Sequence, residues 1–493
     1  MGAQIQPDSR PVEVSGVTLR SSDARPGDLF AALPGANAHG ISFAAAAIDA
    51  GAVAILTDPD GARYGPTADS RLPHLVVADP RAVLGPVSAA VYGHPSRQLA
   101  VLGLTGTNGK TTTSYLLEAA LRAAGQRAGL IGTIETRMHT GDGVVGVPAQ
   151  RTTPEAPDLQ ATLALMVENG VDSVAMEVSS HALALDRVAG TGFEVAGFTN
   201  FSQDHLDFHG DLEGYFAAKA LLFDGRAKYE VVMVDDEWGR RLVRSNTVTV
   251  SASGQRQVDW YGSEVRTHGG VTAFVAHGPG GCELPVRLGL PGDFNVANAL
   301  LALAMLDCAG YDVEQGVQGL EAARVPGRME VVAAGQPFMA VVDYAHTPAA
   351  VSTVLQALRP QTDGALILVL GCGGDRDTGK RALMGEVAAR GSDVLVITDD
   401  NPRSENRAAI RAAMRDGAQS LDAAHRGAVL EVDDRAEAIQ AAVDRAVPGD
   451  IVVIAGKGHE QGQEIAGVIT PFDDRRVLRT ALAGHGWSGG QKS

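Results

Sequence analysis

Thr105-Gly106-Thr107-Asn108-Gly109-Lys110-Thr111-Thr112 is the stretch that decides the fold. It follows the apolar run Leu99–Leu104, which is typical of a buried strand. Apolar residues at helical spacing come after it and predict an amphipathic helix: Leu117, Ala120, Leu121 and Ala124. A glycine-rich turn between a strand and a helix indicates an α/β fold.

The same turn has the chemistry of a phosphate-binding loop. Its glycines let backbone N–H groups surround phosphate oxygens, and the helix N-terminus adds its dipole. Lys110 would reach the terminal phosphates, and the hydroxyl of Thr111 would bind Mg²⁺. The common pattern has a glycine where this chain has Leu104, so the loop is a variant that uses Gly103 and Gly106. The alternative is a structural turn with a solvated lysine; the full strand–loop–helix order favours nucleotide binding.

Composition limits the class of protein. The chain has 493 residues and a net charge of −17, which argues against a general binder of nucleic acid or anionic membrane. Three scattered cysteines suit a reducing cytosol. The first six residues lack the order of a signal peptide, and no apolar stretch is long enough to span a membrane. We expect a soluble cytoplasmic protein.

The pattern along the chain predicts three α/β units. Gly and Pro in residues 92–96 suggest a first linker, and the pattern breaks again near Pro326-Gly327-Arg328. We therefore expect domains at 1–97, 98–327 and 328–493. The last domain reads as alternating helices and apolar strands, which predicts a mainly parallel sheet covered on both faces: Met339–Val342, Ala365–Leu370, Val394–Thr398 and Ile451–Ala455.

Two segments of the central region are candidates for metal binding and group transfer. Glu177 follows the apolar run Val171–Ala175, and with Thr111 it could supply oxygen ligands for Mg²⁺. His205 lies in a polar loop and could help to hold a second ion; a solvated loop is the alternative. Lys219 lies in a mostly apolar helical stretch, where we expect its ammonium to extend to water.

Charged residues follow the strands of the last region. Arg403 ends the string Asp400-Asn401-Pro402-Arg403, and Arg376 follows another strand. Two guanidinium groups and the carboxylate of Glu460 would suit a zwitterionic amino-acid substrate. A surface network of salt bridges is the equally supported alternative at this point.

Together these motifs closely resemble the Mur ligase family over nearly the whole chain. The resemblance includes the 105–112 loop and Asp343-Tyr344-Ala345-His346-Thr347-Pro348, while Asp400–Arg403 is its most specific string. It implies an α/β fold with an N-terminal UDP-binding domain, a central P-loop ATPase domain and a C-terminal Rossmann-like domain. The residues that it implies for ATP are Gly106, Thr107, Asn108, Gly109, Lys110, Thr111, Thr112, Asn298, Arg328, Asp343 and His346.

The resemblance also implies the other two substrates. The UDP-muramoyl peptide would contact Leu19, Ser21, Ala36, Asn37, Ala38, Thr152, Thr153, Ser179 and Arg187. Diaminopimelate would contact Arg376, Asp400, Asn401, Pro402, Arg403, Gly456 and Glu460. The lysine matching Lys219 is carbamylated in the family, which would make it an Mg²⁺ ligand beside Thr111, Glu177 and His205; Lys110, Glu177, His205 and Lys219 are the implied catalytic residues. The sequence departs from the family at Ser21–Arg25, Leu185 and Arg151.

The implied reaction is ATP-driven amide formation in peptidoglycan precursor synthesis, and hence in cell-wall growth, cell shape and division. The D-glutamyl γ-carboxylate of UDP-N-acetylmuramoyl-L-alanyl-D-glutamate would form an acyl phosphate, which the amine of meso-2,6-diaminopimelate would attack. Alternatives on the same scaffold are a ligase for LL-diaminopimelate or L-lysine, or a folylpolyglutamate-synthetase-like ligase. A nucleotide-dependent binding protein without ligase chemistry is the alternative from another class.

Overall fold

The computed structural model describes residues 4–5, 12–64, 72–141 and 143–487. Most of the N-terminal stretch considered above as a signal peptide lies outside these residues. The chain forms two compact units: the first comprises Met1–Trp260 and Leu300–Gly319, the second Tyr261–Ala299 and Leu320–Ser493. The predicted domain boundaries at 97/98 and 327/328 stay predictions. Among the described residues, no helix is both long and apolar enough to cross a membrane.

The first unit begins with a five-stranded sheet in the order β1-β5-β4-β3-β2, parallel except for the β1–β5 pair. Its strands are β1 Gln4–Ile5, β2 Gly16–Thr18, β3 Asp28–Ala31, β4 Ala54–Thr57 and β5 His74–Val76. Its helices are α1 Ala44–Asp49, α2 Pro59–Tyr64 and α3 Pro80–Val91, with 3₁₀ turns at Ser21–Asp23, Gly40–Phe43 and Pro95–Arg97.

Helix α3 joins this region to the rest of the first unit. Asp79 caps the helix by accepting from the N–H groups of Arg81 and Ala82, and Pro80 occupies its first turn. Leu84 shares one buried cluster with Ala156. Through this shared cluster the five-stranded sheet and the segment at Ala156 belong to one compact unit.

The larger sheet of the first unit has the order β13-β12-β11-β6-β10-β7-β8-β9. It is parallel from β13 to β7 and antiparallel in β7–β8–β9, so the predicted mainly parallel sheet is confirmed. The strands are β6 Ala100–Thr105, β7 Ala128–Ile131, β8 Glu135–Thr140, β9 Gly143–Pro148, β10 Ser173–Glu177, β11 Phe193–Phe198, β12 Ala227–Met233 and β13 Val248–Ser251. The helices are α4 Lys110–Ala123, α5 Ala156–Glu168, α6 Ser180–Ala184, α7 Leu206–His209, α8 Leu212–Ala220 and α9 Glu237–Arg240, with a 3₁₀ turn at Leu221–Phe223.

The second unit contains an antiparallel set, β14-β15-β16, and a six-stranded sheet in the order β17-β18-β22-β19-β20-β21. Only the β17–β18 pair of the six-stranded sheet is antiparallel. The strands are β14 Trp260–His268, β15 Val271–Gly278, β16 Cys282–Leu288, β17 Glu330–Val331, β18 Met339–Asp343, β19 Leu366–Leu370, β20 Val394–Ile397, β21 Ala428–Glu431, β22 Ile451–Ala455 and the hairpin β23 Gly462–Ile465 with β24 Val468–Pro471.

The helices of the remaining chain begin with α10 Phe294–Cys308 and α11 Val313–Ala322, each of which has residues in both units. The others are α12 Pro348–Leu358, α13 Lys380–Gly391, α14 Arg407–Gln419, α15 Arg435–Arg445 and α16 Asp474–Gly484, with 3₁₀ turns at Pro279–Gly281, Arg359–Gln361 and Ala423–His425. Thr347, Asn406, Asp434 and Asp473 each cap the helix that follows with a side-chain oxygen.

The six-stranded sheet is buried on both faces. In β22, Ile451, Val453 and Ala455 enter one apolar cluster, which also contains residues of α12, α13 and α14. Val452 and Ile454 enter a second cluster with residues of α15 and α16. This arrangement confirms the expectation drawn from continuous apolar strands.

Candidate active site

The predicted phosphate loop lies between β6 and α4, as the sequence indicates. Gly106 has φ +142° and Gly109 has φ +85°, both in the region that favours glycine. A Cβ on Gly106 would lie 1.9 Å from Thr199 Oγ1. Gly103 has a packing role, because its Cβ would lie 2.6 Å from the ring of Phe193. Gly106 is therefore the loop glycine of this variant pattern.

Residues after β11 hold the loop, and the sequence analysis did not identify them. The N–H of Thr107 donates to the carbonyl of Asn200 over 2.8 Å. The N–H of Asn108 donates to Asn200 Oδ1 over 3.0 Å, and Thr199 Oγ1 donates to the carbonyl of Asn108 over 2.6 Å. These bonds fix the loop shape, and they use the N–H groups of Thr107 and Asn108. Only the parallel pairing of β6 with β11 brings the two segments together.

Two lysine ammonium groups meet at one carbonyl oxygen. Lys110 Nζ donates to the carbonyl of Gly106 over 2.8 Å, and Lys219 Nζ donates to the same carbonyl over 2.7 Å. Lys219 is 1% exposed, and its Nζ lies 4.3 Å from the centre of the Tyr215 ring. Burial, and then the charge of Lys110, hold the pKa of Lys219 well below its ordinary value.

The expectation that Lys219 extends to water is therefore wrong. Helix α8 is capped by Asp211, which accepts from the N–H of Gly214. Helix α8 packs so that Tyr215, Phe216 and Lys219 are all buried. Apolar neighbours in a sequence do not reveal which face of a helix covers a polar loop.

Glu177 lies at the centre of the candidate oxygen ligands for Mg²⁺ in the first unit. It ends β10, is fully buried, and accepts from Thr111 Oγ1 over 3.0 Å. The N–H and Oγ1 of Thr133 also donate to its carboxylate, over 2.8 and 3.0 Å. A carboxylate beside a hydroxyl at a helix N-terminus is a set of hard oxygen donors that fits Mg²⁺. In the parts of the chain that the structure describes, no three His, Cys, Asp or Glu side chains converge on one point, so phosphate oxygens and water would complete such a site.

His205 lies in a cluster of rings. Its ring centre is 4.8 Å from that of His181 and 6.1 Å from that of Tyr215, and its Nε2 lies 3.5 Å from Asp204 Oδ2. Burial, with smaller contributions from the Lys110 and Lys219 charges, lowers the pKa of His205. Burial and the neighbouring imidazoles lower the pKa of His181 to about 4. These rings are therefore neutral at pH 7, the form in which imidazole binds metals.

Four residues implied for the muramoyl peptide lie together. Ser179 donates its N–H to Thr153 Oγ1 over 3.0 Å, and Arg187 Nη1 lies 3.4 Å from the carbonyl of Thr153. Thr152 Oγ1 lies 3.1 Å from Thr133 Oγ1. Glu155, which the sequence analysis missed, orients Arg187 through a 2.9 Å ion pair.

The residues implied for the uridine nucleotide follow two neighbouring parallel strands. Leu19 and Ser21 come after β2, and the exposed segment Ala36-Asn37-Ala38 comes after β3. Ligands of parallel sheets bind at the carboxyl ends of the strands, so this edge suits a nucleotide. Gly35 is held close to the segment, since its Cβ would lie 2.7 Å from the carbonyl oxygen of Ala38.

In the second unit, the residues implied for ATP surround Tyr344. The guanidinium of Arg328 lies 4.0 Å from the centre of the Tyr344 ring, and the His346 ring centre lies 4.6 Å from it. Asp343 accepts from the N–H groups of Met329 and Ala345, over 2.8 and 2.7 Å. Burial raises the pKa of Asp343.

Asn298 lies on α10, where its Nδ2 donates to Asn295 Oδ1 over 3.0 Å.

The residues implied for diaminopimelate lie at the carboxyl ends of β19, β20 and β22, which are neighbours in the sheet. Asn401 Nδ2 donates to Glu460 Oε2 over 2.8 Å. A Cβ on Gly373 would lie 3.0 Å from Arg403 Nη1 and 4.0 Å from Arg376 Cγ, so both arginines border this glycine. These side chains therefore lie at one edge of the sheet.

Close backbone packing shapes the same pocket. Gly374 lies against Pro402, since its Cβ would be 1.9 Å from that carbonyl oxygen. Gly456, with φ +111°, lies against Asp400, since its Cβ would be 2.8 Å from Oδ2. A side chain at either glycine would displace the Asp400–Arg403 string.

Two further charged residues lie at this site, and the sequence analysis did not assign them a role. Lys457 is fully buried, and its Nζ donates to Asn401 Oδ1 over 2.9 Å and to Glu460 Oε2 over 2.8 Å. Glu464 on β23 lies 3.4 Å from Arg403 Nε. Lys457 stood between two glycines at a strand end, which is a signal that could have identified it.

Three family models match successive parts of the chain. Residues 13–92 match the Mur ligase family catalytic domain, residues 104–306 the Mur ligase middle domain, and residues 327–458 the Mur ligase glutamate ligase domain. The chain is 53% identical to a "UDP-N-acetylmuramoyl-L-alanyl-D-glutamate--2,6-diaminopimelate ligase" of Streptomyces coelicolor, covering 95% of this chain and 92% of that one. A protein of the same description from Corynebacterium efficiens is 52% identical over 96% and 90% of the two chains.

A solved structure of a ligase with that description is 33% identical, has a TM-score of 0.69, and covers 96% of this chain and 95% of its own. The chain belongs to the Mur ligase family.

Proposed function

We propose that the protein is an ATP-dependent ligase that joins 2,6-diaminopimelate to UDP-N-acetylmuramoyl-L-alanyl-D-glutamate in peptidoglycan precursor synthesis. The observation that carries this proposal is the position of Glu177. Its carboxylate accepts from Thr111 of the phosphate loop, and its carbonyl accepts from Thr153 Oγ1 over 2.9 Å. The proposed phosphate and acceptor groups are therefore held by one residue.

In the first step the acceptor carboxylate attacks the γ-phosphorus of ATP and forms an acyl phosphate, with ADP as the leaving group. The N–H groups at the N-terminus of α4 bind phosphate oxygens, and the ammonium of Lys110 offsets their charge. Glu177 and Thr111 would hold Mg²⁺, which supplies a fixed positive charge beside the phosphates when bound. The protein's own contribution is positioning and electrostatic stabilisation.

Lys219 is proposed to be modified to N6-carboxylysine. A buried lysine with a strongly lowered pKa presents a neutral amine, and this amine can attack the carbon of CO₂ and release one proton. The product is an anionic oxygen ligand, which would lie beside the ammonium of Lys110. Mass spectrometry of the native protein, with and without dissolved CO₂, tests for the added mass.

In the second step the amine of diaminopimelate attacks the acyl carbon, and phosphate leaves. We propose that Arg376 and Arg403 bind its carboxylates and that Glu460 binds its ammonium group. One oxygen of Glu460 already accepts from both Asn401 and Lys457, so the carboxylate is held in place for that contact.

A coupled assay of ADP release tests the function. It compares meso-diaminopimelate, LL-diaminopimelate and L-lysine as the amino acid, with UDP-N-acetylmuramoyl-L-alanyl-D-glutamate as acceptor. We expect meso-diaminopimelate to be used best, and ADP to appear only when both partners are present. Turnover with a folate acceptor would support the folylpolyglutamate-synthetase-like alternative, and slow ATP hydrolysis that ignores both partners would support a nucleotide-dependent binding protein.

The proposal includes the three domains at 1–97, 98–327 and 328–493 and a monomer that acts in the cytoplasm. Size-exclusion chromatography with light scattering tests the monomer. Limited proteolysis near residues 97 and 327 tests the boundaries.

A further inference from the structure

Thr133 forms a chain of hydrogen bonds between the proposed acceptor site and the proposed metal site. Its Oγ1 donates to Glu177 Oε2 over 3.0 Å and lies 3.1 Å from Thr152 Oγ1. Its N–H donates to the other carboxylate oxygen over 2.8 Å. Neither the motifs nor the resemblance singled out this residue.

The backbone before Thr133 is shaped for this contact. A Cβ on Gly132 would lie 2.4 Å from Glu177 Oε1, so a side chain there would displace the carboxylate. Gly132 and the N–H of Thr133 thus lie against Oε1 of Glu177, whereas the hydroxyls of Thr111 and Thr133 donate to Oε2. Removing only the Thr133 hydroxyl would leave the N–H bond and this packing intact.

The chain of bonds has a fixed direction. An ionised carboxylate only accepts hydrogen bonds, so the single hydroxyl proton of Thr133 is used on Glu177. The bond between the two threonines must then use the proton of Thr152. Thr152 Oγ1 consequently offers only lone pairs to a ligand, and it can accept from an N–H or O–H group but cannot donate to a carboxylate.

We infer that Thr133 is a positioning residue that couples acceptor binding at Thr152 to the carboxylate of Glu177, and that it sets Thr152 as an acceptor for a substrate N–H or O–H group. This inference rests on the proposed function, since it takes the muramoyl peptide as the ligand of Thr152. A ligand donor on Thr152 would strengthen both bonds of the chain and hold Glu177 in place for the metal.

The test compares Thr133→Val, which removes the hydroxyl at nearly constant volume, with Thr133→Ser, which restores it. Thr162→Val is the matched control, because Thr162 Oγ1 bonds only to its own helix at the carbonyl of Asp158. Calorimetry measures binding of the UDP-muramoyl dipeptide and of Mg²⁺ with ADP, and steady-state kinetics gives KM for each substrate. Should Thr133→Val fail to fold, Thr133→Ala removes the same hydroxyl and carries the same expectation.

We expect Thr133→Val to lower the affinity for the dipeptide and the affinity for Mg²⁺ with ADP about tenfold each, because both sites lose a chain of hydrogen bonds to a charged group. The KM for diaminopimelate should stay within twofold, and Thr133→Ser should restore both affinities to within threefold. In a double-variant cycle, Thr152→Val should weaken dipeptide binding. The fold-change in affinity should be at least threefold smaller in the Thr133→Val background than in the wild-type background.

Unchanged affinities in Thr133→Val, a failure of Thr133→Ser to restore them, or additive effects in the cycle would overturn the inference while wild-type ligation stands. A wild-type protein that neither binds the dipeptide nor ligates it would instead overturn the proposed function, and this inference with it.

Discussion

The phosphate loop of the first unit and the amino-acid pocket of the second hold their charges in different ways. In the loop, the Nζ atoms of Lys110 and Lys219 donate to one backbone carbonyl. In the pocket, Arg403 faces Glu464, and Lys457 faces Glu460. The two lysines of the loop thus share a neutral partner, whereas these two cations of the pocket face carboxylates.

This difference corresponds to the proposed ligands. A polyphosphate is strongly anionic and is stabilised by cations and by backbone N–H groups at a helix N-terminus. A diaminopimelate zwitterion has nearly balanced charge, and it exchanges partners with side chains that are already paired. We expect substitutions in the loop to reduce catalysis and those in the pocket to change the choice and affinity of the amino acid.

Replacing Lys219 should have the largest effect. Lys219→Gln removes the amine that is proposed to form the carbamate, and we expect kcat to fall about 100-fold or more, roughly 3 kcal/mol in the activation barrier. The matched control is Lys228→Gln, an exposed lysine paired with Glu194 over 2.8 Å, which should leave kcat unchanged. Activity of Lys219→Gln within threefold of wild type would contradict a role in the transfer step.

The sequence predicted the backbone parts of both regions well. The 105–112 loop, the end of β10 at Glu177 and the four strand ends of the last sheet were found because apolar strands and glycine turns leave local signals. Parallel pairing then places those ends on one edge of a sheet. The Asp400–Arg403 string needed the family resemblance before its purpose could be stated.

The remaining contacts depend on packing between distant segments. Lys219 was expected to extend to water, yet α8 buries it against the carbonyl of Gly106. Asn200 and Thr133 carry no motif, since their roles arise from β11 beside β6 and from the turn after β7. Lys457 is fully buried, and its hydrogen-bond partners Asn401 and Glu460 are 56 and 3 positions away along the chain. Only the contact with Glu460 could be anticipated from the local sequence.

Replacing Arg403 should affect the amino-acid pocket and leave the phosphate loop unaffected. Arg403→Lys keeps the charge and loses the planar fork, and we expect KM for diaminopimelate to rise about 30-fold, roughly 2 kcal/mol. KM for ATP should stay within twofold. Arg390→Lys, at an exposed position paired with Glu386, is the control in the same unit. Equal losses for both substrates in Arg403→Lys would show that the arginine does not serve the amino acid alone.

The internal pairing of the pocket can be tested at Lys457. Lys457→Met leaves Glu460 and Asn401 without their buried donor, and we expect a loss of about 2 kcal/mol in stability and about a tenfold rise in KM for diaminopimelate. The double variant Lys457→Met/Glu460→Gln should recover most of the thermal stability but not the KM. Recovery of both would mean that Lys457 only neutralises Glu460. Thermal melting and steady-state kinetics distinguish these results.

The last expected effect is a pH dependence of stability, and it concerns a half-buried histidine of the second unit. Burial, and then the charges of Arg328 and Arg475, lower the pKa of His459 to about 3 from the ordinary 6.5. Below pH 6.5 the unfolded chain therefore binds a proton that the folded chain excludes. Above pH 6.5 this difference in proton binding does not change the free energy of unfolding. As the pH falls from 6.5 toward 3, the free energy of unfolding decreases.

We expect His459→Gln to reduce the loss of stability by at most about 1.4 kcal/mol per pH unit between pH 6.5 and 4. Thermal midpoints measured at half-unit intervals give the slope, and an NMR titration of the ring gives the pKa directly. His425→Gln, at an exposed position, is the control and should leave the slope as in wild type. A ring that titrates near 6.5 in the folded protein would show that the second unit admits water and charge at His459, and the contrast in electrostatics between the two regions would then weaken.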